Sequence, residues 1–163
     1  MLYLRKPIEE DVSEIKALYR RSVSIHAPWS YPPKDYDCYL SEENRYFLCH
    51  ENTREIIGTF NISGIVRGYF QSAYLGYEVF SPHEGQGFMR IGLSLLLNET
   101  FVELNLHRLE ANIQPGNIAS IKLVEGAGFK KEGFSENYLN IGNKGWQDHE
   151  RWALVNQNWC EKL

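Results

Sequence analysis

The chain contains 163 residues, 43% of them hydrophobic and 23% charged, which is enough to bury one sizeable core without help from disulfides or metals. Its formal net charge of −4 excludes the strongly basic surface typical of nucleic-acid-binding proteins. The three cysteines, Cys38, Cys49 and Cys160, are unclustered, which argues against both a disulfide framework and a metal site. We therefore expect a single domain over residues 1-163, with no bound metal.

No part of the sequence resembles a targeting or membrane-spanning segment. The residues after Met1 lack the apolar core of a signal peptide, and no apolar run has the length of a membrane span. No linker, repeat or low-complexity stretch divides the chain. A cytoplasmic location is the expectation that follows.

The first third of the chain predicts short strands and helices in alternation. Leu2 to Arg5 predicts a strand, and the apolar spacing after Asp11 predicts a helix that Asp11 caps and that runs to about Val23. A proline-stiffened loop rich in aromatic residues comes next, followed by a short helix and a hairpin. These are expected at Ser24–Pro33, at Asp35–Glu43, and at Arg45–His50 with Glu55–Ile65.

The middle of the chain predicts a strand, a glycine turn and a helix. Ala73–Phe80 is rich in aromatic and branched residues and predicts the strand, and the leucine-rich Ile91–Leu104 predicts the helix. Between them lies Gly85-Gln86-Gly87-Phe88-Met89-Arg90. Two glycines allow backbone N–H groups to converge, and a helix start adds partial positive charge. The segment therefore predicts a cradle for phosphate oxygens.

Two familiar phosphate cradles are excluded by the residues after these glycines. A Walker loop opens its helix with Lys-Ser or Lys-Thr, whereas Arg90-Ile91 stands here. A dinucleotide-binding fingerprint needs a third glycine in place of Arg90, within a βαβ unit. Taken alone, the glycine pair also fits an ordinary tight turn between a strand and a helix.

A second strand–turn–helix unit follows about thirty residues later. His107–Ile113 predicts a strand, and Gln114-Pro115-Gly116 a turn. Asn117 is then a suitable N-cap for a helix from Ile118 to Glu125, which the glycine after it ends.

The helix of this second unit carries a family motif. Asn117-Ile118-Ala119-Ser120-Ile121-Lys122-Leu123-Val124-Glu125-Gly126-Ala127-Gly128-Phe129 closely resembles the N-x-x-S-x-x-x-L-E-x-x-G-F block of the GNAT acetyltransferase superfamily. Within that superfamily, the sequence is most similar to the RimJ/RimL type, the ribosomal-protein N-terminal acetyltransferases. The order of the other parts also matches, from about Leu2 to Trp152: Leu75-Gly76-Tyr77, Gly85-Gln86-Gly87, Arg108–Asn112, the Asn117 block and Trp146-Gln147-Asp148-His149.

The resemblance implies a mixed α/β (α+β) fold. A GNAT domain has a central mixed, mostly antiparallel sheet, here expected to hold six to seven strands flanked by about four helices. The element order predicted from the residues, β-α-α-β-β-β-α-β-α-β-β, agrees with this fold and not with a doubly wound α/β sheet. An exposed strand edge leaves both a monomer and a homodimer open.

The resemblance also implies acetyl-CoA as co-substrate. Its pyrophosphate is expected on backbone N–H groups of Gly85, Gln86, Gly87, Phe88, Met89 and Arg90, with Arg90 as a counter-charge. Its pantetheine arm is expected against Tyr77, Val79 and Phe80, with Asn117 touching the arm as well as capping its helix. Lys122 is expected at the 3′-phosphate, with a solvated helix face as its alternative role.

The reaction that the resemblance implies is direct attack of an amine on the thioester. It calls for a base at the amine and an acid at the departing thiolate. Glu110 is the first candidate base, with a strand ion pair to Arg108 or Lys122 as its alternative role. Glu78 is the second, since strand alternation can place it beside the acceptor. Ser120 is the candidate acid, because Val124 stands where most of the superfamily has tyrosine.

Acceptor choice is expected to rest on Trp29, Tyr31 and Tyr138, which can either wall a cleft or simply cover the core. Asp148 and His149 are not expected to act as a pair, since adjacent strand residues face opposite ways.

Three functions remain open at this point. The favoured one acetylates a protein N-terminal α-amine, with a ribosomal or other protein as partner. The second acetylates a small amine such as a polyamine, an amino acid or an aminoglycoside. The third is a non-catalytic acyl-CoA-binding module. Glu84 and Val124, which depart from the family pattern, support this third function.

Overall fold

The computed structural model describes residues 1–162. Its strands and helices, in chain order, are β1 (Leu2–Arg5), α1 (Val12–Arg21), α2 (Val23–His26), α3 (Tyr36–Ser41), β2 (Arg45–His50), β3 (Ile56–Val66), β4 (Ser72–Val79), α4 (Phe88–Asn98), β5 (Arg108–Ile113), α5 (Ile118–Gly126), β6 (Lys130–Leu139) and β7 (Gln147–Val155). Short 3₁₀ turns occur at Glu9–Asp11 and Ile141–Asn143, and a π turn at Glu99–Glu103 extends α4. No helix in the described part of the chain combines the length and apolarity needed to cross a membrane.

The strands form one seven-stranded sheet in the order β1-β2-β3-β4-β5-β7-β6. Every neighbouring pair is antiparallel except β4 and β5, which run parallel. The mixed, mostly antiparallel fold is thus confirmed. The β4–β5 pairing extends only from Ser72–Arg108 to Tyr74–Glu110, so the later parts of both strands leave a gap in the sheet.

Two apolar clusters cover the two faces of the sheet. Strand alternation divides β2 between them, because Tyr46 and Leu48 belong to one cluster and Phe47 and Cys49 to the other. Helices α4 and α5 contribute to the first cluster, and α1 and α3 to the second. The sheet is therefore the middle layer of three, and its gap lies between helices on both sides.

The helix near the N-terminus differs from the sequence prediction. It ends at Arg21, and a separate four-residue α2 follows it, so the chain has one helix more than expected. The side chain of Asp11 does not cap α1. Its carboxylate instead accepts two hydrogen bonds of 2.8 Å from Arg5 and one of 2.8 Å from the N–H of Ile8. Asp11 thereby fastens the turn before the helix to β1.

Candidate active site

The gap between β4 and β5 opens into a cavity of about 650 Å³. Residues of the glycine turn, the second half of β4, the end of β5 and the first turns of α5 line it, together with side chains of the aromatic loop after α2. The two strand–turn–helix units that the sequence predicted separately are thus brought together at one site.

The glycine turn requires glycine for its backbone conformation. Gly85 has φ of +72° and Gly87 has φ of +80°, in the left-handed region that other residues rarely adopt. A Cβ at either position would meet nothing within 4 Å, so the turn faces open space. Gly87 directly precedes α4, whose first N–H groups have no partner within the helix. The turn therefore offers converging N–H donors to an anion.

Most of the predicted cradle residues line the cavity, namely Gly85, Gly87, Phe88, Met89 and Arg90. The side chain of Gln86 turns back instead, and its Nε2 donates to the carbonyl of Pro82 over 2.8 Å. Glu84 is exposed at the same rim and accepts a 3.3 Å hydrogen bond from the hydroxyl of Ser81. Arg90 and Lys122 are exposed basic residues of the rim.

The free edge of β4 is defined by its pairing with β3. The N–H of Phe80 donates to the carbonyl of Ile57 over 2.8 Å. Because alternate residues of a strand direct their backbone groups to opposite sides, Tyr77 and Val79 direct theirs into the gap. Both line the cavity, as predicted for residues that hold an extended arm.

Phe80, unlike Tyr77 and Val79, does not direct its backbone groups into the gap. Its N–H is used by β3, its carbonyl accepts from the N–H of His83 over 2.9 Å, and its side chain is completely buried. Phe80 is a core residue, because the same alternation that exposes Val79 turns its neighbour away.

Helix α5 places Asn117 and Ser120 on the opposite wall. Asn117 caps the helix as predicted, since its side chain accepts the N–H of Ser120. The hydroxyl of Ser120 lies 2.5 Å from the phenol oxygen of Tyr77, across the gap. Val124 is completely buried in the core. No motif in the sequence indicates that the side chain of Tyr77 reaches Ser120.

Glu78 presents a carboxylate to the cavity from the other face of β4. Tyr19 donates to its Oε1 over 2.5 Å, and Ser30 donates to its Oε2 over 2.6 Å. The ring Nδ1 of His26 lies 3.5 Å from Oε2 and has no hydrogen-bond partner in the described structure. Burial, followed by the neighbouring Glu78 charge, raises the pKa of Tyr19 far above its usual value, so Tyr19 remains a donor.

The structure places Glu110 outside this cavity. Glu110 is paired with Tyr74 in the last β4–β5 pair and lies in a shallow depression with Arg108, Glu132, Tyr69 and Phe70. Arg108 donates to Glu110 over 2.9 Å and also pairs with Glu132. These contacts match the structural ion pair that was the alternative role for Glu110.

The aromatic loop covers the cavity on the side of Glu78. Trp29 lines the cavity, and its ring packs against Gly116 in the β5–α5 turn. The ring of Tyr31 packs against Gly142 in the β6–β7 connection and does not itself line the cavity. Tyr138 lies behind the wall, with its ring 6.2 Å from that of His149. Of the three predicted acceptor residues, only Trp29 lines the cavity.

Several cavity residues were missed from the sequence. His26, Arg45, Asn61 and Asn112 come from four different elements, and no motif connects them. The Oδ1 of Asn112 is buried without a hydrogen-bond partner in the described structure. His149 is buried and lines the cavity, whereas Asp148 is exposed and accepts the N–H of Asn137, so the two do face opposite ways.

The site fits an elongated ligand with a phosphate at one end and a strand-like arm. The glycine turn supplies anion donors, and the free edge of β4 supplies backbone partners for peptide-like groups. Among residues 1–162, no group of three His, Cys, Asp or Glu side chains is arranged to hold a metal ion.

A comparison with known families identifies this architecture. Residues 1–130 match the acetyltransferase (GNAT) domain. The chain belongs to the GNAT acetyltransferase family. The resemblance inferred from the Asn117 block and the glycine turn is thereby confirmed.

Curated GNAT relatives support the RimJ/RimL type. The chain is 36% identical over 115 residues to the probable N-acetyltransferase YjcK of Bacillus subtilis, an alignment that covers 71% of this chain and 63% of the relative. It is 37% identical over 115 residues to the ribosomal protein uS5-alanine N-acetyltransferase of Escherichia coli, with 70% and 59% covered. The aligned region thus spans about six-tenths of each relative's length.

Solved GNAT structures agree over nearly the whole chain. The ribosomal-protein-S5-alanine acetyltransferase of Vibrio fischeri has a TM-score of 0.84 at 26% identity, covering 98% of this chain and 96% of its own. The RimJ of Mycobacterium smegmatis, in complex with CoA-disulfide, gives 0.83 at 22% identity, with 99% and 85% covered. The spermidine N-acetyltransferase of Vibrio cholerae, in complex with CoA and spermine, gives 0.79 at 23% identity, with 97% of each chain covered. At 22% and 23% identity, the similarities to these last two structures show a shared fold only.

Proposed function

We propose that this protein is an acetyl-CoA-dependent N-acetyltransferase that acts on the α-amine of a protein N-terminus, in the cytoplasm. The observation that carries the proposal is the position of Glu78. A single carboxylate faces the cavity directly beside the free edge of β4 and under the aromatic loop. Family membership supports acetyl transfer, and relatives named for ribosomal proteins support the protein acceptor.

The residues of the cavity fit acetyl-CoA from one end to the other. The N–H groups of the Gly85–Arg90 turn suit its pyrophosphate, and Arg90 adds a counter-charge. The free backbone groups of Tyr77 and the N–H of Val79 suit the amides of the pantetheine arm, whereas the carbonyl of Val79 is bound by His26. Lys122, exposed on α5 at the rim, suits the 3′-phosphate. The crystals of two proteins with the same fold contain CoA or its disulfide, which supports this cofactor.

Acetyl-CoA supplies an activated acyl group, so the chain itself needs to position an amine and move protons. An α-amine has a pKa of about 8, so roughly a tenth of it is neutral at pH 7, compared with far less for a lysine side chain. Glu78 is placed to take the remaining proton. Its two oxygens are held by Tyr19 and Ser30, which fixes the carboxylate towards the cavity. We therefore assign the base to Glu78 rather than to Glu110.

The charges around the acceptor favour a single amine over a polyamine. Two carboxylates of the described chain line the cavity, and Glu84 lies at the opposite, phosphate-binding end. The acceptor side holds Glu78 together with the guanidinium of Arg45, which donates to Thr59 over 2.9 Å. One carboxylate balances one ammonium group, whereas each further ammonium group of a polyamine would need another. Asn61 and Asn112 instead offer amide groups that suit a peptide backbone.

The test is acetylation of a mixed panel of acceptors by the purified protein. The panel contains peptides with a free α-amine, the same peptides with a blocked N-terminus and a free lysine, and spermidine. Release of free thiol and product masses are followed. We expect acetyl groups on free α-amines only. Turnover with spermidine alone would show that the protein acetylates small amines and not protein N-termini. Tight acetyl-CoA binding without turnover of any acceptor would contradict catalysis and leave a binding module.

A further inference from the structure

The contact between Tyr77 and Ser120 is the feature of the site that the family motifs do not explain. The two residues lie on facing elements, β4 and α5, and their hydroxyl oxygens are 2.5 Å apart across the gap. Val124, at the position where most of the superfamily has a tyrosine, is completely buried and has no hydroxyl group. The cavity therefore lacks a phenol on α5 but contains one on β4.

The geometry allows the pair to pass a proton from Tyr77 to Ser120. The phenol of Tyr77 has one hydrogen and two acceptors within reach, the hydroxyl oxygen of Ser120 at 2.5 Å and its carbonyl oxygen at 3.1 Å. Either hydroxyl can donate over the shorter contact. In the arrangement that serves a proton relay, Tyr77 donates to the Ser120 hydroxyl. The hydrogen of that hydroxyl is then free to point at the cavity, which Ser120 lines.

We propose that Tyr77 supplies a proton through Ser120 and so replaces the tyrosine missing at Val124. The proposal rests on the acetyltransferase function proposed above. As the acceptor nitrogen bonds to the acetyl carbon, Glu78 takes one proton from the amine. As the carbon–sulfur bond breaks, the sulfur keeps the electron pair and takes the Ser120 hydroxyl proton. Ser120 in turn takes the proton of Tyr77, and solvent reprotonates the phenolate.

The surroundings of Tyr77 keep its phenol protonated until the carbon–sulfur bond breaks. Burial raises the pKa of Tyr77 to about 12, although the hydrogen bond with Ser120 lowers it in part. The ring is held against Phe60, with centroids 6.1 Å apart. Serine alone is a much weaker acid than a phenol, so the relay gives Ser120 a proton source that its own hydroxyl does not provide.

The test compares Tyr77→Phe with Ser120→Ala, the double variant and Tyr46→Phe. Tyr46 is a buried tyrosine of the same apolar cluster outside the cavity, so its variant controls for loss of a buried phenol. We expect Tyr77→Phe to lower kcat about 10- to 100-fold with an almost unchanged acetyl-CoA KM. The double variant should be no slower than Ser120→Ala, because both residues serve one proton path. Tyr46→Phe should behave as the wild type.

A second readout does not depend on turnover. The thiolate absorbance of CoA bound to each variant is followed during a pH titration. A donor pair at the sulfur stabilises the thiolate, so we expect the bound thiol to titrate at higher pH in Tyr77→Phe than in the wild type. Full kcat in Tyr77→Phe, multiplicative losses in the double variant, or an unchanged thiol titration would each overturn the proposal. An inactive wild type would instead overturn the proposed function.

Discussion

The hydroxyl of Ser30 donates to Oε2 of Glu78 over 2.6 Å and so connects the aromatic loop to the centre of the sheet. His26, four residues earlier, is also held to β4, since its Nε2 donates to the carbonyl of Val79 over 2.6 Å. The loop that covers the acceptor side is therefore fastened to the strand that carries the candidate base. A change in the loop is expected to affect both the acceptor and the position of the carboxylate.

Replacing Glu78 by Gln should lower kcat/KM about 100-fold or more, because the amide cannot take the proton of the amine. The side chain keeps its size, and its single amide oxygen can still accept from one of the two donors, Tyr19 or Ser30, so the fold should persist. Glu110→Gln is the matched control and should retain activity within about twofold, since Glu110 is bound to Arg108 away from the cavity. Steady-state kinetics of both variants decide the assignment. A loss of kcat/KM in Glu110→Gln but not in Glu78→Gln would show that Glu110 is the base.

Replacing Trp29 by Ala should raise the KM for a peptide acceptor about tenfold and leave the acetyl-CoA KM unchanged. The ring lines the acceptor side of the cavity and packs on Gly116, so its removal opens the cover of the site. Trp146→Ala is the control, because that ring is 64% exposed and lies outside the cavity. Equal effects of the two variants on the acceptor KM would show that Trp29 has no specific role there.

Replacing Lys122 by Ala should weaken CoA binding about two- to fivefold at low salt and leave dephospho-CoA binding unchanged. Lys122 is an exposed cation at the rim, so an ion pair with the 3′-phosphate would be partly screened by solvent. Lys130→Ala, just beyond α5, serves as the control for general loss of charge. Calorimetric titration with both ligands gives the comparison. Equal weakening for CoA and dephospho-CoA would argue that Lys122 does not contact this phosphate.

Replacing Asp11 by Asn should lower the free energy of unfolding by about 1–3 kcal/mol at pH 7. Burial alone would raise the pKa of Asp11, but hydrogen bonds from Arg5 and the Ile8 N–H outweigh burial, and the pKa lies below its usual value. A carboxyl group with a lowered folded pKa contributes its stability above the unfolded value of about 3.9 and loses it as the pH falls through the folded value.

The difference between wild type and Asp11→Asn should therefore be constant above about pH 5 and shrink as the pH falls below 4. Urea unfolding at a series of pH values measures it. Glu10→Gln, an exposed carboxylate in the same turn, should show no such convergence. Parallel curves for wild type and Asp11→Asn would contradict the role of the Arg5 pair.

The sequence was sufficient for the features that depend on local order. The glycine turn requires a positive φ at positions 85 and 87, and Asn117 caps α5 through the next turn of backbone. Such interactions involve residues close in the chain, so their spacing is visible in the sequence. The strands and the order of elements could be predicted for the same reason, and the family from the resemblance of the Asn117 block. Boundaries were less accurate, as α4 begins at Phe88 rather than Ile91.

The candidate chemistry depended on contacts between distant residues. Glu78 was ranked behind Glu110, which resembles the Leu-Glu pair of N-terminal acetyltransferases. Only the end of the β4–β5 pairing after Tyr74 separates the cavity from the Arg108 ion pair. Phe80 was grouped with Val79 although strand pairing turns its N–H towards β3.

The sequence by itself determined the glycine turn, the Asn117 cap and the amphipathic elements, because short-range spacing encodes them. The resemblance of the Asn117 block indicated the GNAT family. Only the tertiary structure decided which side chains share the cavity. Tyr77 and Ser120 are 43 positions apart, and Tyr19 and Glu78 are 59 apart, yet each pair is in hydrogen-bond contact. Register and helix packing bring such residues together, and neither leaves a local pattern in the chain.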